Sequence, residues 1–336
     1  MAFLRIRSQP AILRAEGRHS RSIPAWSEES GELSRAARIL LVRSRREVTG
    51  AFVGGYQSAF RGVGIEFEES RPYVPGDDVR FLDASVMART GVPYVKRFRE
   101  ERDQTAHLVV DVSGSMAFGC PGRTKGAVAA HTAALLSVAA LRAGDRVGLW
   151  TFDAGIREEL PPARGSRQAR QILERLVAAP GRLGGPTGLA DSLARVRSAA
   201  RRRGLVFVLS DFRDEHFFAT AKDGEPPPRT EWIALARRHD LIAILIHDPR
   251  EDSLPNAGTI RIADPERPGR ARLLATGSRE VRERYREASE ARRRALVRRL
   301  RRDGASVLTL RADQVPLRGL VRFFSERSST RRRGHR

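Results

Sequence analysis

Short apolar runs alternate with longer amphipathic segments from residue 105 onward. The runs have the length of β-strands, and the segments between them carry apolar residues at the three-to-four-residue spacing of α-helices. Alternating strands and helices predict a mostly parallel sheet that is covered on both faces. The predicted fold class is therefore α/β with a doubly wound sheet. The predicted strands lie at 108–110, 147–152, 205–209, 241–246 and 307–310, with a candidate edge strand at 260–262. The predicted helices lie at 125–142, 167–178, 189–203, 230–239, 279–302 and 317–324.

The first part of the chain does not show this alternation. Residues 1–26 are rich in arginine and serine and predict a weakly ordered lead-in, whereas residues 30–43 carry apolar side chains at helical spacing. Glycines separate short β-prone runs over 48–67, which predicts short strands joined by turns. We therefore expect a lead-in at 1–26, an N-terminal helix and a β-rich or irregular segment at 27–103, the α/β domain at 104–326 and a basic tail at 327–336.

The composition argues against a disordered, a membrane-spanning or a secreted protein. Hydrophobic residues make up 40% of the 336 residues, which is too many for a disordered chain. The longest apolar stretch, 126–141, is interrupted by His131, Thr132 and Ser137, so it predicts a buried helix and no membrane span. The N-terminus is too charged for a secretory signal, and a single cysteine allows no intramolecular disulfide, so we expect a cytoplasmic protein. We expect that cysteine, Cys120, to be a packing residue.

The net charge of +22 suggests a nucleic-acid or membrane partner, but the type of basic residue changes this interpretation. All but three of the 62 basic residues are arginines, a bias typical of GC-rich coding sequence and of ordinary solvated surfaces. We therefore do not expect nucleic-acid binding. Binding of nucleic acid, or peripheral association with an anionic membrane, is the alternative function, and the arginine clusters at 292–294, 298–299, 301–302 and 331–333 would carry it.

Two aspartates stand where apolar strands end. Asp111 follows the run at 108–110, and Asp211 comes two residues after the run at 205–209. Because the carboxyl ends of parallel strands meet at one edge of the sheet, we expect both carboxylates there. The sequence therefore predicts a functional site at that edge.

Hydroxyl groups are placed to join these carboxylates. Ser113 and Ser115 follow Asp111 at alternate positions of a turn that Gly114 allows to curl, and Thr187 lies on a glycine-rich loop before a helix. Hard cations such as Mg²⁺ or Mn²⁺ bind oxygen ligands in octahedral array and usually keep some waters. The sequence thus predicts a divalent-cation site that can accept a carboxylate from a partner protein.

Two alternatives to this assignment stay open. The serines could simply cap a helix while Asp111 accepts hydrogen bonds from backbone amides. Asp191 or Ser192, one turn after Thr187, could also take the place of the threonine.

The order of these residues resembles a known metal site. Asp-x-Ser-x-Ser after a strand, a distal threonine and a distal strand-terminal aspartate are similar to the metal-ion-dependent adhesion site of von Willebrand factor type A domains. The resemblance covers residues 105–324 and implies a von Willebrand factor A-like fold with a binding function. It assigns the ligands of the ion to Asp111, Ser113, Ser115, Thr187 and Asp211.

A second set of motifs resembles the bacterial family called domain of unknown function 58. The motifs at 66–80, 95–103 and 247–251 carry the resemblance, with one departure: Ala84 follows Asp83 where the family usually has tryptophan. The resemblance implies an adaptor or chaperone-like role beside a MoxR-type AAA+ ATPase, together with a client protein that the sequence does not identify.

The first of these motifs contains a turn that presents two carboxylates. Asp77, Asp78, Arg80 and Asp83 are the candidate partner-binding residues of this segment. The alternative is a structural turn in which Arg71 and Arg80 hold the aspartates by ion pairs.

No catalytic set accompanies the candidate metal site. A phosphotransferase that uses Asp111 as its nucleophile would be expected to have a second acid two residues later, where this chain has Ser113. A serine hydrolase needs a base, and none of the seven histidines is placed as one. The sequence has no Walker A motif, which an ATPase of the P-loop type would need. We expect no enzymatic activity; a metal-dependent hydrolase is the third possible function.

Overall fold

A six-stranded β-sheet forms the centre of the computed structural model, which describes residues 3–4, 30–60, 65–100, 104–120, 123–178, 187–214, 230–263 and 271–334. The helices are α1 (Ser30–Glu47), α2 (Gly50–Phe60), α3 (Ala84–Thr90), α4 (Lys125–Arg142), α5 (Gly165–Ala178), α6 (Leu189–Ala199), α7 (Thr230–Arg238), α8 (Arg279–Arg302) and α9 (Pro316–Gly334). The strands are β1 (Phe3–Leu4), β2 (Ile65–Pro72), β3 (Tyr94–Glu100), β4 (Thr105–Asp111), β5 (Gly119–Cys120), β6 (Arg123–Thr124), β7 (Arg146–Phe152), β8 (Ile156–Ala163), β9 (Leu205–Ser210), β10 (Asp240–His247), β11 (Thr259–Ala263), β12 (Ala271–Ala275) and β13 (Ser306–Arg311).

The strands of the central sheet follow the order β13-β10-β9-β4-β7-β8. All neighbours pair in parallel except β8, which lies at one edge and runs antiparallel to β7. The predicted α/β class with a mostly parallel, doubly wound sheet is therefore confirmed. The sequence pattern does not reveal β8, because this strand carries charged residues and two prolines, which only an edge strand tolerates.

Successive side chains of the central strands face opposite layers of helices. On β4, Leu108 and Val110 join a core built with α2, α4 and α9, whereas Val109 joins a core built with α6, α7 and α8. Phe207 and Val208 of β9 divide between the two cores in the same way. Because both faces are covered, these strands are continuous apolar runs, and the sequence reveals them for that reason.

Apart from the last one, the helices of the α/β domain match the prediction with small shifts of their ends. Residues 125–140 of α4 are all buried, as expected for an apolar helix inside the protein. None of the helices in the described part of the chain combines the length and the apolar composition needed to cross a bilayer.

Residues 50–60 form a helix, so the prediction of short strands and turns is wrong for this stretch. Phe52, Tyr56 and Phe60 recur at helical spacing, and their rings lie 5.3, 5.9 and 5.6 Å from the ring of Phe324 on α9. Burial of this aromatic face outweighs the low helix propensity of the three glycines in α2. The spacing of the aromatic residues is the sequence signal for α2.

Two glycine substitutions test this correction. Gly54 lies on the exposed side of α2 with open space where a Cβ would be built, so Gly54→Ala is expected to raise the free energy of unfolding by about 0.5–1 kcal/mol. Gly76→Ala is the matched control of opposite sign, because Gly76 has a φ of 108° that alanine rarely adopts. Urea unfolding followed by circular dichroism measures both; a destabilised Gly54→Ala protein would contradict the helix.

Three smaller predictions are wrong. Residues 260–262 belong to β11, which pairs with β1 and β12 in a separate sheet and is not an edge of the central one. The last helix does not end at residue 324, as predicted, but continues to Gly334. The guanidinium of Arg327 lies 5.0 Å from the ring centroid of Phe60 and anchors this extension. Cys120 is exposed at the end of β5 because the β5–β6 hairpin projects it outward, so it is not a packing residue.

The N-terminal helices are packed onto the α/β layers. Leu40 of α1 contacts a small cluster with Ala134 of α4 and Leu173 of α5, and α2 lies against α9. Between α2 and β4 the chain forms the β2–β3 hairpin, with α3 in its connection. The predicted lead-in at 1–26 lies outside the described residues, apart from Phe3–Leu4.

A histidine is buried within the central sheet. His107 on β4 is 4% exposed, and its Nδ1 accepts a hydrogen bond of 3.5 Å from the indole of Trp150. Burial, with a further contribution from the charge of His239, lowers the pKa of His107 to about 4. The folded protein therefore keeps His107 neutral at pH values where the unfolded chain already binds a proton.

This depressed pKa predicts a loss of stability in mild acid. The contribution of His107 is complete above its unfolded pKa of 6.5 and is lost as the pH falls towards about 4. His107→Asn keeps an acceptor for Trp150 but cannot titrate, so it is expected to flatten the pH dependence by up to about 1.4 kcal/mol per pH unit. Urea unfolding across this range is the measurement. Above pH 6.5 the free energies of unfolding of the two proteins should change with pH in the same way. Equal slopes of this free energy against pH below 6.5 would rule out the buried neutral histidine.

Candidate metal centre

Two buried carboxylates meet at the carboxyl edge of the central sheet. Asp111 ends β4, and Asp211 directly follows β9, the strand that pairs with β4. The hydroxyl of Ser210 donates to Asp111 Oδ2 at 2.5 Å and accepts from the Phe212 N–H at 2.8 Å. Both aspartates are almost inaccessible, with 0% and 3% exposure. The structure thus places the two predicted carboxylates at the same edge.

Ser113 and Ser115 direct their hydroxyls to this carboxylate pair. The Ser113 amide donates to Asp111 Oδ1 at 2.9 Å, and the two serine Oγ atoms lie 3.2 Å apart. The Ser113 hydroxyl acts to lower the pKa of Asp111 against the effect of burial, and the Ser115 hydroxyl acts in the same way on Asp211. The Ser113 side chain makes no capping bond to the 3-10 turn that follows, whereas Asp111 accepts a backbone amide, as the alternative of a structural turn also expects. The choice between the metal site and this alternative stays a prediction.

The donor set matches the needs of a hard divalent cation. Adjacent oxygen ligands of an octahedral ion with bonds of about 2.0–2.1 Å lie about 3 Å apart, close to the separation of the two serine hydroxyls. Among the described residues, no group of three or more His, Cys, Asp and Glu side chains is arranged to hold a metal ion. The predicted ligand set has only two carboxylates, and hydroxyl oxygens would supply the rest of it.

Thr187 lies at the same edge, on a loop attached to the ends of two strands. The Gly188 N–H donates to the carbonyl of Asp153, just after β7, at 2.6 Å, and the Leu189 N–H donates to Asp214, just beyond β9, at 3.0 Å. Because β7 and β9 flank β4, the loop bridges the end of the strand that carries Asp111. The residues at 184–186 that precede the threonine lie outside the described residues.

The two alternatives to Thr187 lie in the first turn of α6. The hydroxyl of Ser192 donates to the carbonyl of Gly188 at 2.7 Å within the start of α6. Asp191 is exposed on the same helix. The assignment of Thr187 to the ligand set stays a prediction.

The two aspartates differ in how their charge is balanced. Burial, together with the charge of Asp211, raises the pKa of Asp111 to about 7. Burial would also raise the pKa of Asp211, but the cations Lys125 and Arg213 outweigh it and hold that pKa below its usual value. The chain's own cations thus compensate Asp211, whereas Asp111 is contacted by neutral donors.

Residues that the sequence interpretation does not include complete this network. Lys125, the first residue of α4, is fully buried, with Nζ 2.5 Å from Asp211 Oδ2 and 2.7 Å from Glu251 Oε1. Arg213 lies 3.3 Å from the other oxygen of Glu251. The sequence held one signal, since Lys125 is one of only three lysines in an arginine-rich chain and begins an apolar helix.

The turn after Asp211 has an uncommon backbone conformation. Phe212 adopts a φ of 52°, and the Arg213 N–H donates to Asp211 Oδ1 at 3.2 Å. The Phe212 ring packs edge-on against Trp232 at 5.7 Å, which holds the turn in place. Positive φ at a bulky residue is rare and concentrates at functional sites. The turn fixes the direction of the Asp211 carboxylate.

The candidate partner-binding segment is a braced turn. Arg71 contacts both oxygens of Asp77 at 2.7 and 2.8 Å, Arg80 pairs with Asp78 at 2.7 Å, and Asp83 caps α3. These are the contacts of the structural alternative, and partner binding by the same residues stays a prediction.

The motif residues 101–103 lie outside the described residues. Large apolar side chains are exposed in the same segment: Val74, Val79, Phe81, Met87 and Val92.

Comparison with known sequences decides the family. Residues 69–295, more than half of the chain, match the family described as Protein of unknown function DUF58. The chain belongs to the DUF58 family. An uncharacterized protein of Mycobacterium tuberculosis is 30% identical to this DUF58 chain over 322 residues, which cover 94% of the chain and 96% of that protein. An uncharacterized protein of Mycobacterium avium is 33% identical over 170 residues, covering 49% of the chain and 92% of that protein.

Solved structures resemble part of the DUF58 chain. The conserved hypothetical protein BatB from Bacteroides thetaiotaomicron has a TM-score of 0.42 at 14% identity, covering 67% of this chain and 99% of that one. An aerotolerance-related membrane protein from Bacteroides fragilis has a TM-score of 0.40 at 13% identity, with coverages of 66% and 99%. The SpRpn10 VWA domain has a TM-score of 0.34 at 14% identity, with coverages of 65% and 93%.

The attachment of the Thr187 loop can be tested without changing a candidate ligand. A Cβ on Gly188 would lie 2.2 Å from the carbonyl oxygen of Ala154, so Gly188→Ala forces the loop away from β7. We expect it to lower the free energy of unfolding by about 1–3 kcal/mol, as overpacking usually does.

Gly155→Ala is the matched control for this loop. Open space surrounds the position of its Cβ, so its effect in the same urea titration should stay below about 1 kcal/mol. A Gly188→Ala protein as stable as the wild type would mean that the loop does not lie against Ala154.

Proposed function

We propose that this DUF58 protein is a protein-interaction module that binds partners through Mg²⁺, or a similar hard divalent cation such as Mn²⁺, and acts with a MoxR-type AAA+ ATPase. The ligands of the ion would be Asp111, Ser113, Ser115, Thr187 and Asp211. The observation that carries the proposal is a buried carboxylate, Asp111, that lies beside a second carboxylate and accepts hydrogen bonds from neutral groups.

Charge balance supports a divalent cation at this place. Three carboxylates, those of Asp111, Asp211 and Glu251, face two cationic side chains, those of Lys125 and Arg213. Among these five groups the carboxylates outnumber the cations by one, and burial beside Asp211 raises the pKa of Asp111 to about 7, so holding this last carboxylate as an anion is costly. A divalent cation would change the balance to one net positive charge, and a single carboxylate from a partner would neutralise it.

The burial of the ligands indicates the side from which a partner would approach. Asp111, Ser113 and Ser115 are fully buried, whereas Thr187 is 9% exposed, more than any other member of the ligand set. The partner's carboxylate would therefore enter beside the loop at 187–189. An exchangeable ligand position next to that loop is what a binding site of this kind requires.

The choice of an ATPase partner follows from the family. The motifs at 66–80, 95–103 and 247–251 resemble those of proteins that act beside MoxR-type AAA+ ATPases, with an adaptor or chaperone-like role towards a client protein. Exposed apolar side chains between residues 74 and 92 suit a protein contact on the hairpin segment. The metal site and this segment would then serve different partners or different parts of one partner.

Binding of nucleic acid or of an anionic membrane is the weaker candidate. Several arginines of α8 are paired with acidic residues of the same helix, which reduces the charge available to phosphates. These pairs are Arg279–Glu283, Arg284–Glu280 and Arg294–Glu290, and within the candidate cluster at 292–294 Arg293 also pairs with Asp252. A metal-dependent hydrolase is ranked below both, because the proposed binding chemistry needs no nucleophile or base.

The proposal predicts capture of the ATPase that depends on the ion. The immobilised full chain is expected to retain a purified MoxR-type AAA+ ATPase in buffer with Mg²⁺. In buffer with EDTA, the retained amount is expected to be at least about tenfold lower. Asp111→Ala should remove the difference between the two buffers. Retention is measured by quantitative gel analysis of the bound fraction.

A carboxylate outside the site provides the control for this experiment. Asp313 follows β13, and its exposed side chain pairs with Arg311, so Asp313→Ala should capture the ATPase as the wild type does. Full capture by Asp111→Ala, or equal capture in EDTA, would end the metal-dependent proposal.

A further inference from the structure

A lysine ammonium lies inside the candidate metal centre. Lys125 is 0% exposed, and its Nζ bridges Asp211 Oδ2 at 2.5 Å and Glu251 Oε1 at 2.7 Å. The three residues come from the start of α4, the end of β9 and the 3-10 turn after β10. Burying a lysine this completely is rare without strong pairing, and the two carboxylates supply it.

The lysine occupies an oxygen atom that a metal ion would otherwise use. Asp211 Oδ2 is bound by Lys125, and Asp211 Oδ1 accepts from the Arg213 N–H at 3.2 Å. The nearby Ser115 hydroxyl also acts to lower the pKa of this carboxyl group. Asp111, in contrast, is contacted by neutral donors that place no positive charge beside a bound cation. The two carboxylates are therefore unequal as ligands.

We propose that Lys125 is a positioning residue that holds Asp211 out of direct contact with the ion and thereby keeps the affinity of the site for divalent cations low. This inference rests on the proposed function, because it assumes a cation at Asp111. The ion would then be held directly by Asp111 and the serine hydroxyls, with Asp211 acting through Ser115 or through water.

Two electrostatic effects of Lys125 both lower the affinity of the site for a divalent cation. The ammonium repels a divalent cation placed a few ångströms away, and it withdraws Asp211 Oδ2 from coordination. Glu251 acts in the opposite direction, because it shares the ammonium with Asp211 and adds negative charge to the region. A site that binds its ion weakly alone gains most from the carboxylate of a partner, so ion and partner would each strengthen the binding of the other.

Binding of Mn²⁺ alone, measured on the full chain from the free-ion electron paramagnetic resonance signal, tests the role of Lys125. Lys125→Met is expected to bind Mn²⁺ at least about tenfold more tightly than the wild type, and Glu251→Gln is expected to bind it more weakly. Lys96→Met is the matched control, since Lys96 lies on β3 outside the site, and its affinity should not change. Competition with Mg²⁺ repeats the comparison for the second ion.

The sign of the change separates a positioning role from a merely structural one. A lysine that only supports the fold would weaken metal binding when removed, so an unchanged or lower affinity in Lys125→Met overturns the inference. If Lys125→Met does not fold, the double variant Lys125→Met/Glu251→Gln removes both members of the buried pair. It should still bind Mn²⁺ more tightly than Glu251→Gln alone.

The outcomes for Lys125 and for the proposed function are distinguishable. Tighter Mn²⁺ binding in Lys125→Met, without Mg²⁺-dependent capture of the ATPase by the wild type, supports the role of Lys125 and overturns the proposed function. Equal Mn²⁺ affinities with intact capture overturn the role of Lys125 alone. Absence of Mn²⁺ binding in both proteins overturns both.

Discussion

The carboxylates of Asp111 and Asp211 lie next to each other in a place that water does not reach, and the surrounding structure accommodates their repulsion. Lys125 and Arg213 neutralise Asp211, whereas hydroxyl and amide donors contact Asp111. The Ser210 hydroxyl, the positive φ of Phe212 and the buried start of α4 all serve this arrangement. In the proposed function, a divalent cation would bind at Asp111, the carboxylate that neutral donors contact at the end of a buried strand.

The scaffold around this charge is held by helices from both ends of the chain. The aromatic residues of α2 close around Phe324 of α9, and the hydroxyl of Tyr56 donates to Asp145 at the end of the α4–β7 connection. The helix α4 packs in the same core and begins with Lys125, so the network at the site and the docking of α2 share one rigid element. Rigid support of this kind favours precise placement of ligand oxygens.

The motifs that characterise DUF58 have two kinds of structural role in this chain. The motif at 66–80 forms a turn braced by ion pairs between Arg71 and Asp77 and between Arg80 and Asp78. The motif at 247–251 ends in Glu251, which binds Lys125 inside the candidate metal centre. One motif therefore stabilises an exposed surface, whereas the other contributes directly to the electrostatics of the site.

The sequence by itself determined the α/β class, because strands covered on both faces must be apolar throughout, and it placed Asp111 and Asp211 at one edge, because parallel strands end together. The aromatic residues at 50–60 are spaced as in a helix, but only the tertiary structure decided that this glycine-rich stretch is helical, since its aromatic face gains stability from Phe324, a residue far away in the chain. The contact between Lys125 and Glu251 was equally hidden: the two residues are 126 positions apart, and no local pattern encodes a charge pair formed by folding.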